Sequence, residues 1–246
     1  MIEQTQLPVE VTLSLAEQAK PFIDYLEKFV AHLSTLKLDE AIPDPKQAAI
    51  ISVDVINGFL FEGPLASSRV AAIAEPITQL MHSAWERGLR EILLVQEGHH
   101  PDSHEFDAYG EHAILGTPQA ETIDEIKALP FYDQIPIIYK DSIHPALNNG
   151  FHDWLDNRED LDTFIIVGDV TDLCVYHLAT YLKFHANAYQ KERRVIVPEN
   201  CVQTWHLPVK AAEELHAMPH HGDLLHATFL YHMVLNAIEV VKAIQM

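Results

Sequence analysis

Cys174 stands where a thiol gains reactivity. The run Phe164-Ile165-Ile166-Val167-Gly168-Asp169-Val170-Thr171-Asp172-Leu173-Cys174-Val175 reads as a buried strand, a sharp polar turn and the start of a helix. A thiol in the first turn of a helix faces unpaired backbone N–H groups and the positive end of the helix dipole. Both favour the thiolate, which is the nucleophilic form. A sulfur that attacks an amide also needs a proton acceptor, donors for the developing oxyanion and a proton for the departing amine. A second chemistry is written in Glu97-Gly98-His99-His100-Pro101-Asp102-Ser103-His104-Glu105-Phe106, followed later by His112. Imidazole and carboxylate groups suit a divalent metal with open water positions. The ordinary alternative is a loop that merely lines a pocket.

These side chains need elements to hold them. Apolar, strand-like runs at Ala48–Val55, Glu91–Gln96, Ile135–Tyr139, Thr163–Val167 and Arg194–Val197 alternate with helical patterns at Arg69–Gly88, Gln119–Leu129, Asn149–Asp156, Thr171–Phe184 and Leu224–Asn236. Ile238–Ile244 is a last strand or a helix end. Near-continuous Ile/Val strands alternating with helices predict an α/β fold: a three-layer, doubly wound, mostly parallel sheet of about six strands with helices on both faces. Ligands of such sheets bind at the carboxyl ends of the strands. Asp54, Lys140 and Cys174 all fall near those ends.

An amphipathic helix is predicted from Leu13 to Leu36, with a break or late start near Pro21. Residues 1–45 then form an N-terminal helical arm for packing or assembly, and residues 46–246 the main domain. Asp223 is placed to cap the last long helix. His220, His221 and His226 read as loop and helix-face residues, because no strand-end carboxylate accompanies them. Trp205 and His206 reach either the pocket or a subunit interface.

Composition narrows the partners. Lys and Arg number 16 against 36 Asp and Glu, a net charge of -20, which repels nucleic acid and anionic membranes. No apolar run reaches the length of about 20 residues that a membrane span needs. The first residues lack a secretory pattern, and two cysteines do not make a disulfide framework. The reading is a cytoplasmic protein. No Gly-x-Gly-x-x-Gly run follows the first strand, which excludes a dinucleotide fold of the dehydrogenase type.

Three motifs carry a family resemblance. Gly168-Asp169-Val170-Thr171-Asp172-Leu173-Cys174-Val175 resembles the nucleophile turn of the isochorismatase-like cysteine hydrolases, the family of nicotinamidases and related amidases. Ile50-Ile51-Ser52-Val53-Asp54-Val55-Ile56-Asn57-Gly58-Phe59 resembles that family's first strand with its catalytic Asp. Ile137-Ile138-Tyr139-Lys140-Asp141-Ser142 resembles its third strand with its catalytic Lys. The similarity runs from about Ala48 to Thr204 and more loosely beyond.

The resemblance implies a Cys174, Asp54 and Lys140 catalytic set, oxyanion donors at the backbone N–H groups of Val170 and Cys174, and a cis peptide between Asp169 and Val170. It implies cleavage of a small carboxamide, nicotinamide-like or carbamoyl-type, through a thioester, with no cofactor for the thiol step. Glu97, His99 and His112 are its candidate ligands for a zinc-like divalent metal, Glu standing where Asp is usual; a shifted register would use His100 and His104. Phe59 matches an aromatic pocket position, with Phe106 and Tyr109 as further wall candidates. Ile56 departs from many relatives of the resembled family, which show Gln or Met there. Relatives are oligomers, so a homo-oligomer is expected. Two other readings stand beside this one: vinyl-ether hydrolysis, whose family members lack the Cys, and a non-catalytic binding or assembly protein.

Overall fold

Six apolar segments pair into one parallel sheet in this computed structural model, which describes residues 13–246. They are β1 (Ala48–Val53), β2 (Glu91–Glu97), β3 (Ile137–Lys140), β4 (Thr163–Asp169), β5 (Arg194–Pro198) and β6 (Glu239–Val241). Their order is β3-β2-β1-β4-β5-β6, and Val202–Gln203 adds a seventh short strand against the end of β4. Every pairing is parallel. Strand alternation sends Ile50, Leu94, Ile165 and Ile196 to one face, where helix α2 (Ala74–Glu86) packs. It sends Ile51, Val95, Phe164, Ile166 and Val197 to the other. That second face is covered by α3 (Phe151–Asp156), α4 (Tyr176–Ala188) and α5 (Gly222–Leu235). The doubly wound reading therefore holds.

The chain runs outward from β1 to β2 and β3 on one side, and from β4 to β5 and β6 on the other. The crevice between the carboxyl ends of β1 and β4 is the switch point at which such sheets bind ligands. Gly168 lets these two strands meet: a Cβ there would lie 2.0 Å from the Val53 carbonyl oxygen, and its φ of +113° favours glycine.

Several boundaries differ from expectation. The N-terminal helix α1 spans Leu15–Ala31 without a break, started by a reciprocal cap between Ser14 and Glu17. Pro21 is exposed, so the Glu17 carbonyl that loses its helical partner faces water. The helix stops well before Leu36, because Leu36–Lys37 pairs instead with Ile244–Gln245. Pro76 sits in the first turn of α2, where its missing N–H has no helical acceptor to lose. The helix expected over Gln119–Leu129 shrinks to one turn at Asp124–Lys127. At the start of α5 His221, not Asp223, is the cap; Asp223 pairs with Arg69 at 2.7 Å. No helix among the described residues is long and apolar enough to cross a membrane.

Candidate active site

Three strand ends deliver the charged core of the site. Asp54 directly follows β1 with φ of +56°, an uncommon conformation for a residue with a Cβ. Its N–H donates to the Val95 carbonyl at 2.8 Å, which ties the turn to β2. The Asp54 Oδ1 accepts the Glu97 N–H at 2.7 Å, and Oδ2 lies 2.9 Å from Lys140 Nζ. Lys140 closes β3 and is held beside Glu97 by the strand register. Its ammonium donates to Glu97 Oε1 at 2.6 Å and to Cys174 Sγ at 3.6 Å. A carboxylate oxygen of Asp54, one of Glu97 and the Cys174 sulfur all lie within 4.8 Å of one another. The structure thus brings Asp54, Lys140 and Cys174 together as the motifs required.

The nucleophile turn differs from the sequence picture. Cys174 is not in the first turn of an ordinary α-helix. Thr171–Val175 forms a wide turn in which the Val175 N–H reaches the Val170 carbonyl at 3.3 Å, and α4 starts only at Tyr176. Such i to i+5 turns recur at functional sites. The Asp169–Val170 peptide is cis, as the resemblance implied, and the Val170 N–H has no backbone acceptor among the described residues.

Burial reverses the expected thiolate preference. It pushes the Cys174 thiol well above its usual range, against the pull of Lys140, with Asp54 and Glu97 adding to the rise. The resting sulfur is therefore a thiol. Burial also lifts Asp54 to about 7, with Lys140 limiting the rise. Glu97 stays ionised, because Lys140 and its contacts with His112 and His99 overcome its burial. Lys140 stays an ammonium: Asp54, Cys174 and Glu97 outweigh its desolvation.

The contact of Glu97 with Lys140 was not expected from the sequence, whereas its other oxygen faces the two histidines with which the resemblance grouped it. Its Oε2 lies 3.1 Å from His112 Nε2 and 3.3 Å from His99 Nε2, and those two nitrogens are 3.2 Å apart. Each imidazole is tied behind: His99 Nδ1 meets Asp141 Oδ1 at 2.6 Å, and His112 Nδ1 meets the Gly110 carbonyl at 2.8 Å. Protons placed on those Nδ1 atoms leave two Nε2 lone pairs and a carboxylate oxygen facing one another. Donor atoms around one ion at about 2.0–2.1 Å have this mutual spacing. The three residues fit a divalent metal. His100 and His104 are exposed and take no part, so the shifted register is excluded.

The aromatic candidates gather around the histidine pair. Ring centroids place Phe59 5.8 Å from His112, Phe106 5.3 Å from His99, and Tyr109 6.4 Å from His112. Ile56 is buried against Ala113 and Ala120, an apolar contact. His112 also borders a cavity of about 320 Å³ shared with Glu62, Glu111 and Gln119. A larger cavity of about 470 Å³ surrounds Arg193 and Arg194 at the amino end of β5, the wrong end of the sheet for this chemistry. Cys201 is an ordinary core thiol, pushed up to about 12 by burial.

Two residues that the sequence assigned to loop and helix surface are buried behind the nucleophile turn: His220 contacts Asp172, and His226 contacts Thr171. The signal that would have found them is the polar pair Thr171 and Asp172, three and two residues before Cys174, which need partners once buried.

Known proteins resemble this chain in sequence and fold. A family model described as an isochorismatase domain matches residues 48–222. Nicotinamidase 1 of Arabidopsis thaliana is 28% identical over 199 residues, covering 74% of this chain and 80% of that protein. Among solved structures, N-carbamoylsarcosine amidase from Thermoplasma acidophilum superposes with a TM-score of 0.61 at 20% identity, over 81% of this chain and 98% of its own. The pyrazinamidase/nicotinamidase from Streptococcus mutans does so with a TM-score of 0.60 at 20% identity, over 79% and 99%. The family match spans well over half of the sequence, and the chain belongs to the isochorismatase family.

Proposed function

We propose that this protein is a cysteine hydrolase of carbon–nitrogen bonds other than peptide bonds, which cleaves a small carboxamide and releases ammonia. One observation carries the reading: a buried thiol, a carboxylate and an ammonium converge at the sheet's switch point, with Lys140 Nζ 3.6 Å from Cys174 Sγ and 2.9 Å from Asp54 Oδ2. The likeness to a nicotinamidase supports an amide substrate, and a nicotinamide-like or carbamoyl compound is the first to try.

In this reading Asp54, lifted to about 7, takes the thiol proton as Sγ forms a bond to the amide carbon. The oxyanion is received by the backbone N–H groups of Val170 and Cys174. Asp54 returns the proton to the nitrogen, the C–N bond breaks, and ammonia leaves behind a thioester. Asp54 then takes a proton from water as its oxygen attacks the thioester carbon. The C–S bond breaks, the sulfur recovers its proton and the carboxylic acid departs. Throughout, the Lys140 ammonium holds Asp54 in place and stabilises negative charge on sulfur. Glu97, His99 and His112 would hold a divalent metal, which would supply Lewis-acid chemistry when bound. Phe59, Phe106 and Tyr109 form the wall against a flat acyl group.

The test is ammonia release from a panel of small amides by wild type and Cys174→Ala. Turnover retained by Cys174→Ala on the best substrate would refute the assignment.

A further inference from the structure

The nucleophile turn is gripped from outside by two histidines of the C-terminal segment. His220 Nε2 lies 2.8 Å from Asp172 Oδ2, and its Nδ1 lies 2.9 Å from the Trp205 carbonyl. The ring is thus held between a carboxylate oxygen and a backbone carbonyl oxygen. Trp205 stacks on it, with centroids 3.6 Å apart and planes 20° apart. The backbone of His220 is fixed by two reciprocal 2.8 Å bonds with Leu207. Arg69 secures the same platform, donating to the Thr204 carbonyl and pairing with Asp223. One residue before Asp172, Thr171 Oγ1 meets His226 Nδ1 at 2.9 Å. Thr171 and Asp172 are buried, and each has its side chain engaged by a different buried histidine.

We propose that His220 is a positioning residue for catalysis, with His226 supporting it: by holding the Asp172 and Thr171 side chains it sets the wide turn that presents Cys174 Sγ and the free Val170 N–H to one bound amide. Two backbone bonds to the Val170 carbonyl close the turn, and a loss of about 1 Å in alignment costs heavily in a covalent step. The imidazole touches no reacting atom. Its effect passes through Asp172. The inference rests on Cys174 being the nucleophile.

The experiment compares wild type, His220→Ala, His220→Gln and Cys174→Ala in the full chain. Two readouts are taken: kcat and KM for ammonia release from nicotinamide, and the second-order rate of Cys174 alkylation by iodoacetamide, followed on the Cys174 peptide. Gln restores an N–H donor near the position of Nε2. His220→Ala is expected to lower kcat at least tenfold with KM within threefold, and to change the alkylation rate at least threefold. His220→Gln is expected to recover most of both. Unchanged kcat and alkylation in a folded His220→Ala overturns the proposal, as does a His220→Gln variant as impaired as His220→Ala while melting like wild type. If His220→Ala does not fold, His220→Leu against His220→Gln gives the same comparison. Should nicotinamide not be turned over, the alkylation rates decide. Activity surviving in Cys174→Ala removes the nucleophile reading; activity lost there but intact in His220→Ala removes only this proposal.

Discussion

Replacing Lys140 with methionine removes one buried positive charge from between two carboxylates and a thiol. At an effective dielectric of about 20, a unit charge 2.9 Å from Asp54 Oδ2 contributes roughly 6 kcal/mol. One pKa unit corresponds to about 1.4 kcal/mol, so complete loss would lift Asp54 by roughly 4 units. Water entry and side-chain rearrangement reduce this to about 2 units. The base that titrates at about 7 in the native site then titrates near 9. At pH 7 its ionised fraction falls from one half to about one hundredth, so kcat/KM should fall about 50-fold from this cause alone. The assay is kcat/KM for ammonia release against pH. Wild type shows an acid limb near pH 7, and Lys140→Met moves it upward. Stability shifts with the same sign. An acid whose folded pKa exceeds its unfolded value keeps its stability below the unfolded value and loses it as pH rises through the folded one. The melting deficit of Lys140→Met is therefore small near pH 4 and grows toward pH 9. An acid limb that stays near pH 7 in this variant would refute the electrostatic account of Asp54.

Other outcomes follow from particular contacts. Cys174→Ala should lose at least a thousandfold in turnover while melting within a few degrees of wild type, since only one small buried group is removed; near-native turnover would exclude covalent catalysis. Protein purified without a histidine tag should carry close to one equivalent of divalent metal by elemental analysis, and His99→Ala and His112→Ala should lose it; equal metal in all three would show the metal lies elsewhere. Gly168→Ala should destabilise the protein by more than about 3 kcal/mol in denaturant melts, because the new methyl would overlap the Val53 carbonyl at a left-handed φ. Pro21→Ala should raise stability by about 1–3 kcal/mol through a restored helix bond in α1, and a lower melting temperature would count against the uninterrupted helix.

Much of the fold was legible because its signals are local. The runs at Ala48–Val53 and Thr163–Asp169 are buried on both faces, and near-continuous apolar strands of this kind are characteristic of a covered parallel sheet. Helix ends were read less well. α1 was drawn past Ala31 because the periodicity of residues 13–36 does not reveal that Leu36–Lys37 has a partner strand 208 positions later. The break at Pro21 failed to appear because an exposed proline leaves its orphaned carbonyl to water, a circumstance that only burial discloses.

The sequence by itself marked the atoms proposed to do chemistry: a sulfur after β4, a carboxylate after β1 and an amine at the end of β3, with residues 97, 99 and 112 added by the resemblance as candidate cation ligands. Tertiary structure decided their states and their neighbours. Burial, helped by Asp54 and Glu97, raises the Cys174 thiol more than the Lys140 ammonium lowers it, so the thiol form is favoured. Glu97 serves both Lys140 and the histidine pair because the β2–β3 register sets it there. His220 and His226 stand behind Cys174 because α5 and the segment before it fold onto the nucleophile turn. Residue type fixes what a group is able to do, whereas pKa and orientation depend on charges and solvent brought close from distant parts of the chain.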